Sequence, residues 1–355
     1  MKKCFECILP ENYPGITFNE TGVCNYCIAY KDQEYLGDEA LKAKIESFNQ
    51  TQKNRNDNYD CILLLSGGRD SSYLLYYLVK VLNLRVLGYS IDNGFIPEQT
   101  KENLKNMVDL LDVKLVIEKS RYLEKCIRHH LLSFIHKPSA PMAGLVCTGC
   151  RLGMEIMVPA FSKKSRVPVV IKGSTPQDFV TFKKKIMALN PKSNREMDSF
   201  VLGGVFEVIQ NPMWILNPTC LVTQIREYYH YLYKRKNKNN SLLMIYPFQS
   251  YIKWEEESVV STIKNELDWR KTPGAESTWR GDCDVALLKL YLYQKTLGFN
   301  DRDEGLCYLI RDGQISREEA LVRSKEEGQI SEEVIKELFD KLGLDFSDLK
   351  IALEP

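Results

Sequence analysis

The chain lacks a surplus of charge of either sign, because 48 Lys and Arg residues face 47 Asp and Glu residues. A net charge of +1 provides no global basic field, so we do not expect nucleic acid as a partner. The chain also lacks an apolar run of the ~18 residues that a membrane span needs, and it begins without the apolar stretch of a signal peptide. We therefore expect a cytoplasmic protein with no membrane segment.

Histidine is scarce, with four residues in no metal-ligand pattern, whereas cysteine is not, with eleven. In a reducing compartment cysteines serve metal binding or catalysis more often than disulfides. Cys4-x-x-Cys7 and Cys24-x-x-Cys27 are separated by sixteen residues, a spacing typical of a four-thiolate zinc site. Four protein ligands leave no open position on the ion, so the predicted role of this zinc is structural.

A third pair, Cys147-x-x-Cys150, has no second pair near it in the sequence. It is open to three interpretations: a redox pair, two ligands of a second metal site, or part of an iron–sulfur site completed by Cys220 or Cys283. We favour a metal site, with Cys283 as the third ligand.

The 355 residues divide by pattern into three parts. Residues 1–58 hold the zinc segment and an amphipathic linker helix. Residues 59–250 alternate short apolar runs with amphipathic segments, which predicts a doubly wound α/β domain with a parallel sheet. Residues 251–355 predict a mostly helical region, with Ser316 and Ser331 as helix caps.

The strongest chemical motif follows the first apolar run and reads Ser66-Gly67-Gly68-Arg69-Asp70-Ser71-Ser72. Its two glycines permit close approach of the backbone to a ligand, and a helix after them directs N–H groups and a positive dipole end at an anion. The three serines add hydroxyl donors. Asp70 suits a helix start or a magnesium ion better than direct phosphate contact.

This turn resembles that of the PP-loop ATP pyrophosphatases, in which it holds the β- and γ-phosphates of ATP while the α-phosphate is attacked. In those enzymes the end of the second strand contacts adenine and ribose, which suggests Ile91 and Asp92, although a simple Asp-Asn-Gly turn is an equal alternative. Lys172-Gly173-Ser174 and Asp178 follow a later strand and offer a cation, a close-approach glycine, a hydroxyl and a metal carboxylate. The predicted ATP-binding residues are Ser66, Gly67, Gly68, Asp70, Ser71, Ser72, Ile91, Asp92, Gly173 and Ser174. The predicted catalytic residues are Asp70, Lys172 and Asp178.

Over nearly its full length the chain resembles the N-acetyl sugar amidotransferases of bacterial surface-polysaccharide and nonulosonic-acid biosynthesis. The resemblance rests on Lys3 to Pro10, Pro14 to Ile16, Cys24 to Cys27, Ser66 to Ser72, Cys147 to Cys150, Gly173 to Asp178, Arg280 to Cys283, Gly298-Phe299 and Gly313 to Ala320.

This resemblance implies conversion of an acetamido group on a sugar, or on a nucleotide sugar, to an acetamidino group. The cofactors would be ATP, Mg²⁺ and Zn²⁺. Ammonia would come from a class I glutaminase partner, with a cyclase-like companion as a further partner. Arg270, Arg280 and Asp282 are predicted substrate contacts because of their polarity and late position.

Two competing hypotheses remain open. A tRNA thiolase would share the ATP turn, the zinc pairs and an internal C-x-x-C for an iron–sulfur cluster, and the lysine runs 183–185 and 234–238 favour it. A zinc-bearing interaction protein with a vestigial turn would need no catalysis, but the intact Ser-Gly-Gly-x-Asp-Ser argues against that reading.

Overall fold

The structure is a computed structural model that describes residues 2–178, 182–187, 196–236 and 241–354. Within these ranges it describes the backbone, but not the side chains, of Asp178, 196–201, Glu227 and 231–236. The predicted catalytic carboxylate of Asp178 and the second lysine run therefore lie outside the described part.

Five parallel strands form one sheet in the order β3-β2-β1-β4-β5. They are β1 (Cys61–Leu64), β2 (Val86–Asp92), β3 (Lys114–Lys119), β4 (Val169–Lys172) and β5 (Leu243–Ile245). Leu64 lies opposite Tyr89 on one side and Lys172 on the other. The chain winds outward in both directions from β1, which confirms the predicted doubly wound sheet and puts its topological switch point at the carboxyl end of β1.

Both faces of the sheet are buried at its centre because alternate residues of β1 and β4 enter two separate clusters. Leu63 packs in the cluster that contains Leu74, whereas its neighbour Ile62 packs in the cluster that contains Val158. Helices thus cover the sheet on both sides. Because the central strands are buried on both faces, they consist of nearly continuous apolar residues.

The described helices begin before the sheet and continue to the end of the chain. They are α1 (Asn25–Ile28), α2 (Asp38–Thr51), α3 (Arg69–Tyr76), α4 (Glu98–Leu110), α5 (Arg121–His136), α6 (Ala140–Leu145), α7 (Thr148–Ser165), α8 (Phe182–Met187), α9 (Glu196–Gln210), α10 (Pro212–Leu216), α11 (Pro218–Lys236), α12 (Pro247–Ser250), α13 (Glu256–Leu267), α14 (Asp284–Leu297), α15 (Asp301–Arg311), α16 (Arg317–Glu327), α17 (Glu332–Leu342) and α18 (Phe346–Leu353). A π-helical turn, Tyr77–Val81, continues α3, and a 3-10 turn, Pro176–Asp178, follows β4. Ser316 and Ser331 cap α16 and α17 as predicted, since their hydroxyls accept from Glu319 N and Glu333 N.

The zinc segment and the C-terminal helices pack on the α/β unit rather than apart from it. One hydrophobic cluster runs from Cys4 through Leu63 to Leu349. Asn12 Nδ2 donates to the carbonyl of Leu297 at 2.7 Å, which ties the first segment to α14. The division at 58 and 250 stays a prediction, and no break in this cluster marks it.

Within the described residues, one helical stretch, Ala140–Ser165, is long and apolar enough to cross a membrane by length and composition alone. Helices that pack in a protein core meet the same criterion. Here Val158 packs against the sheet in the cluster of Ile62.

Candidate functional site

Residues 66–72, here called the phosphate turn, leave β1 at the switch point and lead into α3. Gly67 has φ +79°, and a Cβ at that position would lie 2.6 Å from Cγ2 of Thr100. Gly68 has ordinary backbone angles, but a Cβ there would lie 3.0 Å from Oδ2 of Asp282. The backbone conformation at Gly67 disfavours a side chain, and at Gly68 a Cβ would crowd the Asp282 side chain.

Serine hydroxyls hold the turn in shape. Ser71 Oγ accepts from Ser66 N at 3.2 Å, and the hydroxyls of Ser71 and Ser72 donate to the carbonyl of Gly68 at 3.1 and 2.8 Å. The first turn of a helix leaves its N–H groups without intrahelical acceptors, so α3 directs those groups and its positive end toward this loop. This arrangement is suited to an anion, and binding of phosphate there stays a prediction.

Arg69, between the glycines and Asp70, is buried and does not face the cradle as a free cation. Its Nη1 lies 2.5 Å from Oε1 of Glu256 and donates to Thr278 at 3.0 Å. Its guanidinium carbon stands 4.8 Å from the ring centre of Trp254. The pKa of Glu256 falls below its ordinary value because Arg323 and Arg69 outweigh the opposing effect of burial. Arg69 thus anchors the start of α3 to α13.

Asp70 stands at the head of α3, where the motif predicts it. Its Oδ1 accepts from Nε1 of Trp254 at 2.9 Å, and Arg69 Nε lies 3.3 Å away. The carboxylate is thus held in one orientation while remaining one-fifth exposed. Its magnesium role stays a prediction.

The end of β4 passes directly against the start of α3. A Cβ on Gly173 would lie 3.3 Å from the carbonyl carbon of Asp70 and from the N of Ser71. Lys172 lies opposite Leu64 of β1 in the sheet, and the buried Ser174 accepts from Gln249 at 3.4 Å through its backbone carbonyl. The structure thus brings residues 172–174, which the sequence predicts to be part of the ATP site, next to the phosphate turn.

The end of β2 forms the turn that the alternative interpretation described. Oδ1 of Asp92 accepts from Gly94 N at 2.8 Å, and Gly94 has φ +87°. Ile91 packs in the cluster of Tyr89. Contact of Ile91 or Asp92 with adenine stays a prediction.

Residues 280–283, here called the bridging strip, cross the phosphate turn from the C-terminal part of the chain. Asp282 lies over Gly68, and the carbonyl of Gly281 accepts from Thr272 Oγ1 at 2.7 Å. Arg280 Nε lies 3.7 Å from Oδ2 of Asp301. Arg270, by contrast, pairs with Asp268 at 3.1 Å and is two-thirds exposed, so its guanidinium is not brought to this cluster.

The four N-terminal cysteines converge as predicted, with their sulfurs all within 4.8 Å of one another. Sγ of Cys24 lies 3.8 Å from that of Cys7 and 3.6 Å from that of Cys27. Sulfurs bound at ~2.3 Å to a tetrahedral zinc ion stand about 3.8 Å apart, so the donor set and spacing fit that ion.

Two arginines from the C-terminal helices close this cysteine site. Arg311 Nε donates to Cys27 Sγ at 3.5 Å and its Nη2 to Cys7 Sγ at 3.7 Å. Arg317 donates to the carbonyls of Cys4 and Cys7 at 3.1 Å. These cations offset the negative charge that four thiolates place on a zinc site.

Cys150 and Cys283 meet at a single amide, since Asn93 Nδ2 donates to their sulfurs at 3.6 and 3.5 Å. Burial raises the pKa of Cys150 to about 11 and that of Cys283 further, and the nearby Cys147 adds to both. We call Cys147, Cys150 and Cys283 the thiol trio. In the described residues it is not as tightly gathered as the N-terminal four, which alone have all sulfurs within 4.8 Å. Cys220, the other candidate, lies 3.4 Å from Ser133 Oγ.

Sequence reasoning missed Arg69, Trp254, Asn93 and Arg311. Arg69 occupies the variable position of the motif, which carries no signal of burial. The others reach their partners only through tertiary packing across 57 to 284 positions of sequence.

The parallel sheet with this turn after its central strand has the architecture that the PP-loop ATP pyrophosphatase resemblance implies. Residues 277–354 match the family model described as the C-terminal domain of WbpG-like LPS biosynthesis proteins. The bridging strip and α14 to α18 belong to that match.

Among curated proteins, an uncharacterised protein of Methanocaldococcus jannaschii, MJ1599, is 30% identical over 86 residues. That stretch is 24% of this chain and 31% of the relative, so the match spans about a third of the relative's length.

Two solved structures are similar at 14% identity. The U34-tRNA thiolase NcsA from Methanococcus maripaludis, with its 4Fe–4S cluster, covers 88% of this chain and 87% of its own at a TM-score of 0.36. The NH3-dependent NAD synthetase from Campylobacter jejuni covers 65% and 91% at a TM-score of 0.29. At these values the likeness carries no argument about activity.

Proposed function

We propose that this protein is an ATP-dependent amidotransferase that converts the N-acetyl group of a sugar to an acetamidino group and releases AMP and pyrophosphate. The observation that carries the proposal is the preformed phosphate turn, crossed by a strip that belongs to a C-terminal match with WbpG-like LPS biosynthesis proteins. The turn supplies the means to activate a substrate with ATP. The match supports a surface-polysaccharide sugar as that substrate.

The chemistry requires activation because an amide oxygen is a poor leaving group. In the first step the amide oxygen attacks the α-phosphorus of ATP, the bond to pyrophosphate breaks, and an imidoyl adenylate forms. In the second step ammonia adds to the imidoyl carbon, and the C–O bond breaks to release AMP. The surplus proton leaves with solvent or stays on the amidine.

The residues of the turn stabilise charge and position the reactants, and no side chain acts as a nucleophile. Backbone N–H groups at the start of α3 hold the departing phosphates. We assign Asp70 and Asp178 to magnesium and Lys172 to the developing charge on phosphate. The N-terminal cysteines hold a structural zinc ion that takes no part in the reaction.

Ammonia is supplied in this proposal by a class I glutaminase, with a cyclase-like protein as a further companion. ATP and nucleotide sugars are cytoplasmic metabolites, so we place the reaction in the cytoplasm. The association is tested by purifying the chain with and without a co-expressed glutaminase and comparing glutamine with ammonium as the nitrogen source.

The central test uses Mg²⁺, ATP, an ammonium salt and a panel of N-acetyl sugars, free and nucleotide-linked. We expect pyrophosphate release together with a product in which one oxygen is replaced by an NH group. Gly68→Ala places a methyl group 3.0 Å from the Asp282 carboxylate at the mouth of the turn and should abolish both signals, and thermal unfolding checks that the variant is folded. Gly204→Ala, the same change within α9, is the matched control and should retain activity. An active Gly68→Ala variant would refute the proposal.

A tRNA thiolase is the second candidate, and the specific observation that favours it is the meeting of Cys150 and Cys283 at Asn93. Three thiols beside an ATP site suit an iron–sulfur cluster that holds sulfur for transfer. ATP cleavage that requires tRNA and a sulfur donor, and that ignores ammonium, would replace the first proposal with this one.

A further inference from the structure

Three of the four tryptophans lie against the phosphate turn, and all three come from the part of the chain that follows the sheet. Two of them, Trp254 and Trp279, contact side chains of the turn. Trp269 contacts the backbone instead, because its Nε1 donates at 3.0 Å to the carbonyl of Gly67. This hydrogen bond acts on a peptide unit of the turn, and the ATP site described above gives it no role.

The carbonyl of Gly67 belongs to the peptide unit that joins the two glycines of the turn. In a trans peptide, which this is, the C=O of one residue and the N–H of the next point in opposite directions. The carbonyl is directed toward the buried indole of Trp269, so the N–H of Gly68 is directed away from it. That N–H lies 3.3 Å from Oγ of Ser66, which is an exposed residue. The donor therefore lies on the side of the turn that is open to solvent.

A pair of glycines allows this peptide two orientations. Rotating the peptide by half a turn changes ψ of Gly67 and φ of Gly68 and leaves the rest of the chain in place. From its φ of −76°, Gly68 would arrive at a positive φ, a region that glycine enters at little cost. The rotated peptide would direct the carbonyl of Gly67 outward and the N–H of Gly68 inward.

The two orientations offer an anion opposite ends of the peptide dipole. With the N–H outward, Gly68 adds a donor to the N–H groups that the first turn of α3 leaves without intrahelical acceptors. With the carbonyl outward, a negative oxygen would meet the phosphate. A hydrogen bond that holds the carbonyl of Gly67 inward therefore favours phosphate binding, and Trp269 makes that hydrogen bond.

Trp269 is itself held in place on both sides. Its backbone N–H donates at 3.1 Å to the carbonyl of Ile263, which closes the end of α13. The buried Asn103 of α4 holds the backbone of the next residue, Arg270. Its Nδ2 donates to the Arg270 carbonyl at 2.7 Å, and its Oδ1 accepts from the Arg270 N–H at 3.0 Å. The indole is thus fixed and could not follow the carbonyl of Gly67 if the peptide rotated.

We propose that Trp269 is a positioning residue of the ATP site. Its indole N–H holds the peptide between Gly67 and Gly68 in the orientation in which the N–H of Gly68 binds a phosphate oxygen. Trp269 acts through this peptide, and the ligand that it prepares the turn to bind is a di- or triphosphate. This inference rests on the proposed function in one respect, the binding of ATP phosphates by the turn, and it does not depend on the second substrate.

Direct binding tests the inference independently of turnover. The full chain is titrated by calorimetry, in the presence of Mg²⁺, with pyrophosphate and with an ATP analogue that has a methylene group between its α- and β-phosphates. Trp269→Phe removes the indole N–H, and the loss of one neutral hydrogen bond that selects the orientation should weaken both ligands about three- to tenfold.

Trp214→Phe is the matched control. Trp214 is fully buried, and its N–H has no hydrogen-bond partner within the part of the chain that the structure describes. The control thus loses the same ring volume as Trp269→Phe without losing a hydrogen bond, and it should bind both ligands like the wild type. Thermal unfolding of each variant checks that it is folded.

A second measurement reads the peptide itself. Glycine labelled with ¹³C at its carbonyl and ¹⁵N at its amide lets an HNCO experiment select each glycine N–H that follows another glycine. The sequence contains two such pairs, 67–68 and 203–204, and Gly204→Ala removes one of the two signals and so assigns both. In the wild type we expect pyrophosphate with Mg²⁺ to move the Gly68 signal and not the Gly204 signal. In Trp269→Phe the Gly68 signal should be displaced before any ligand is added, and it should respond only at higher pyrophosphate concentration.

If Trp269→Phe does not fold, replacement of Trp269 by benzothienylalanine keeps the two fused rings and exchanges only the N–H for sulfur. Indole is a donor through this N–H alone, so the same losses of binding and the same displacement of the Gly68 signal are expected.

The inference is refuted if the variants of Trp269 bind pyrophosphate like the wild type, if Trp214→Phe weakens binding as much as they do, or if pyrophosphate binds without moving the Gly68 signal. A wild type that binds neither ligand refutes it as well. Failure of the proposed function alone has a different signature. In that case both ligands bind and depend on Trp269, yet no N-acetyl sugar together with ammonium and ATP leads to release of pyrophosphate.

Discussion

The chain contains two groups of cysteines whose surroundings differ in every respect that decides what a thiol does. The N-terminal four come from two C-x-x-C pairs, gather within 4.8 Å, and receive hydrogen bonds from Arg311. The thiol trio comes from segments more than 130 positions apart, and two of its members, Cys150 and Cys283, share one neutral amide donor, Asn93. The first group has the geometry of a site that could hold a metal ion, and in the described residues the second group is less tightly gathered.

This difference separates stability from chemistry within one molecule. A closed thiolate site with cations around it contributes folding energy, because metal affinity and folding are coupled. The trio instead lies where β2 ends and the bridging strip crosses the phosphate turn, at the edge of the sheet where ligands of α/β proteins bind. Proximity to that edge favours a role in catalysis, and loss of a thiol there should spare the fold.

The largest effect is expected from Cys24→Ser. This change removes one of four zinc ligands in a segment that binding energy on the order of 10 kcal/mol would order. We expect zinc content and thermal stability to fall together, measured by metal analysis and calorimetry on the same preparation.

Cys147→Ser, in the other group, is the matched control and should leave zinc content unchanged. If zinc content falls in Cys147→Ser as well, the separation of the two groups is wrong. If Cys24→Ser retains its zinc, the N-terminal site itself is wrong.

A smaller effect is expected from Arg311→Met, which keeps the volume of the side chain and removes its charge. Hydrogen bonds to charged groups contribute about 1.5–3 kcal/mol, so the free energy of unfolding should fall by about that amount. Zinc should be lost to a chelator faster than from the wild type. Arg270→Met, at an exposed surface pair, is the control for stability and should change it by less than about 0.5 kcal/mol. Equal effects of the two changes would show that Arg311 does not support the thiolates.

The fold was predictable because local pattern and tertiary environment agree in its centre. Apolar runs buried on both faces make β1, β2 and β4 visible as strands, and the glycines mark the turn after β1. β5 was not predicted, because the three residues Leu243–Ile245 are too few to show a pattern typical of a strand. The helix that the sequence predicts after the two glycines begins at Arg69 and continues into a π-helical turn that no sequence periodicity indicates.

The site was predictable only where chain neighbours build it. The phosphate turn and the N-terminal cysteines are local motifs whose geometry follows from spacing. The environments of Asn93 and Lys183 depend on which distant segments pack beside them. Three lysines in sequence, 183–185, suggest a solvated face, yet Lys183 is paired with Asp301 across 118 positions. Whether a lysine is buried depends on the distant residue that pairs with it, and the local sequence does not indicate which residue that is.

The smallest effect is expected from Asn93→Ala. This change tests whether the thiol trio is independent of the N-terminal four cysteines. The side chain donates to both sulfurs, and its oxygen accepts from Phe95 N at 3.0 Å, so its loss should cost about 1 kcal/mol of stability. Zinc content should not change, because Asn93 has no contact with the N-terminal four in the described structure.

The informative measurement is iron uptake after anaerobic incubation with iron and sulfide. An ion held by Cys150 and Cys283 would replace the amide as the partner of both sulfurs, so Asn93→Ala should take up at least as much iron as the wild type. Cys150→Ser should take up less, because it removes a ligand rather than a competitor. A wild type that takes up no iron, yet is isolated with two zinc ions, would instead make the trio a second zinc site. The contrast between the two groups of cysteines would then be one of sequence spacing and not of function.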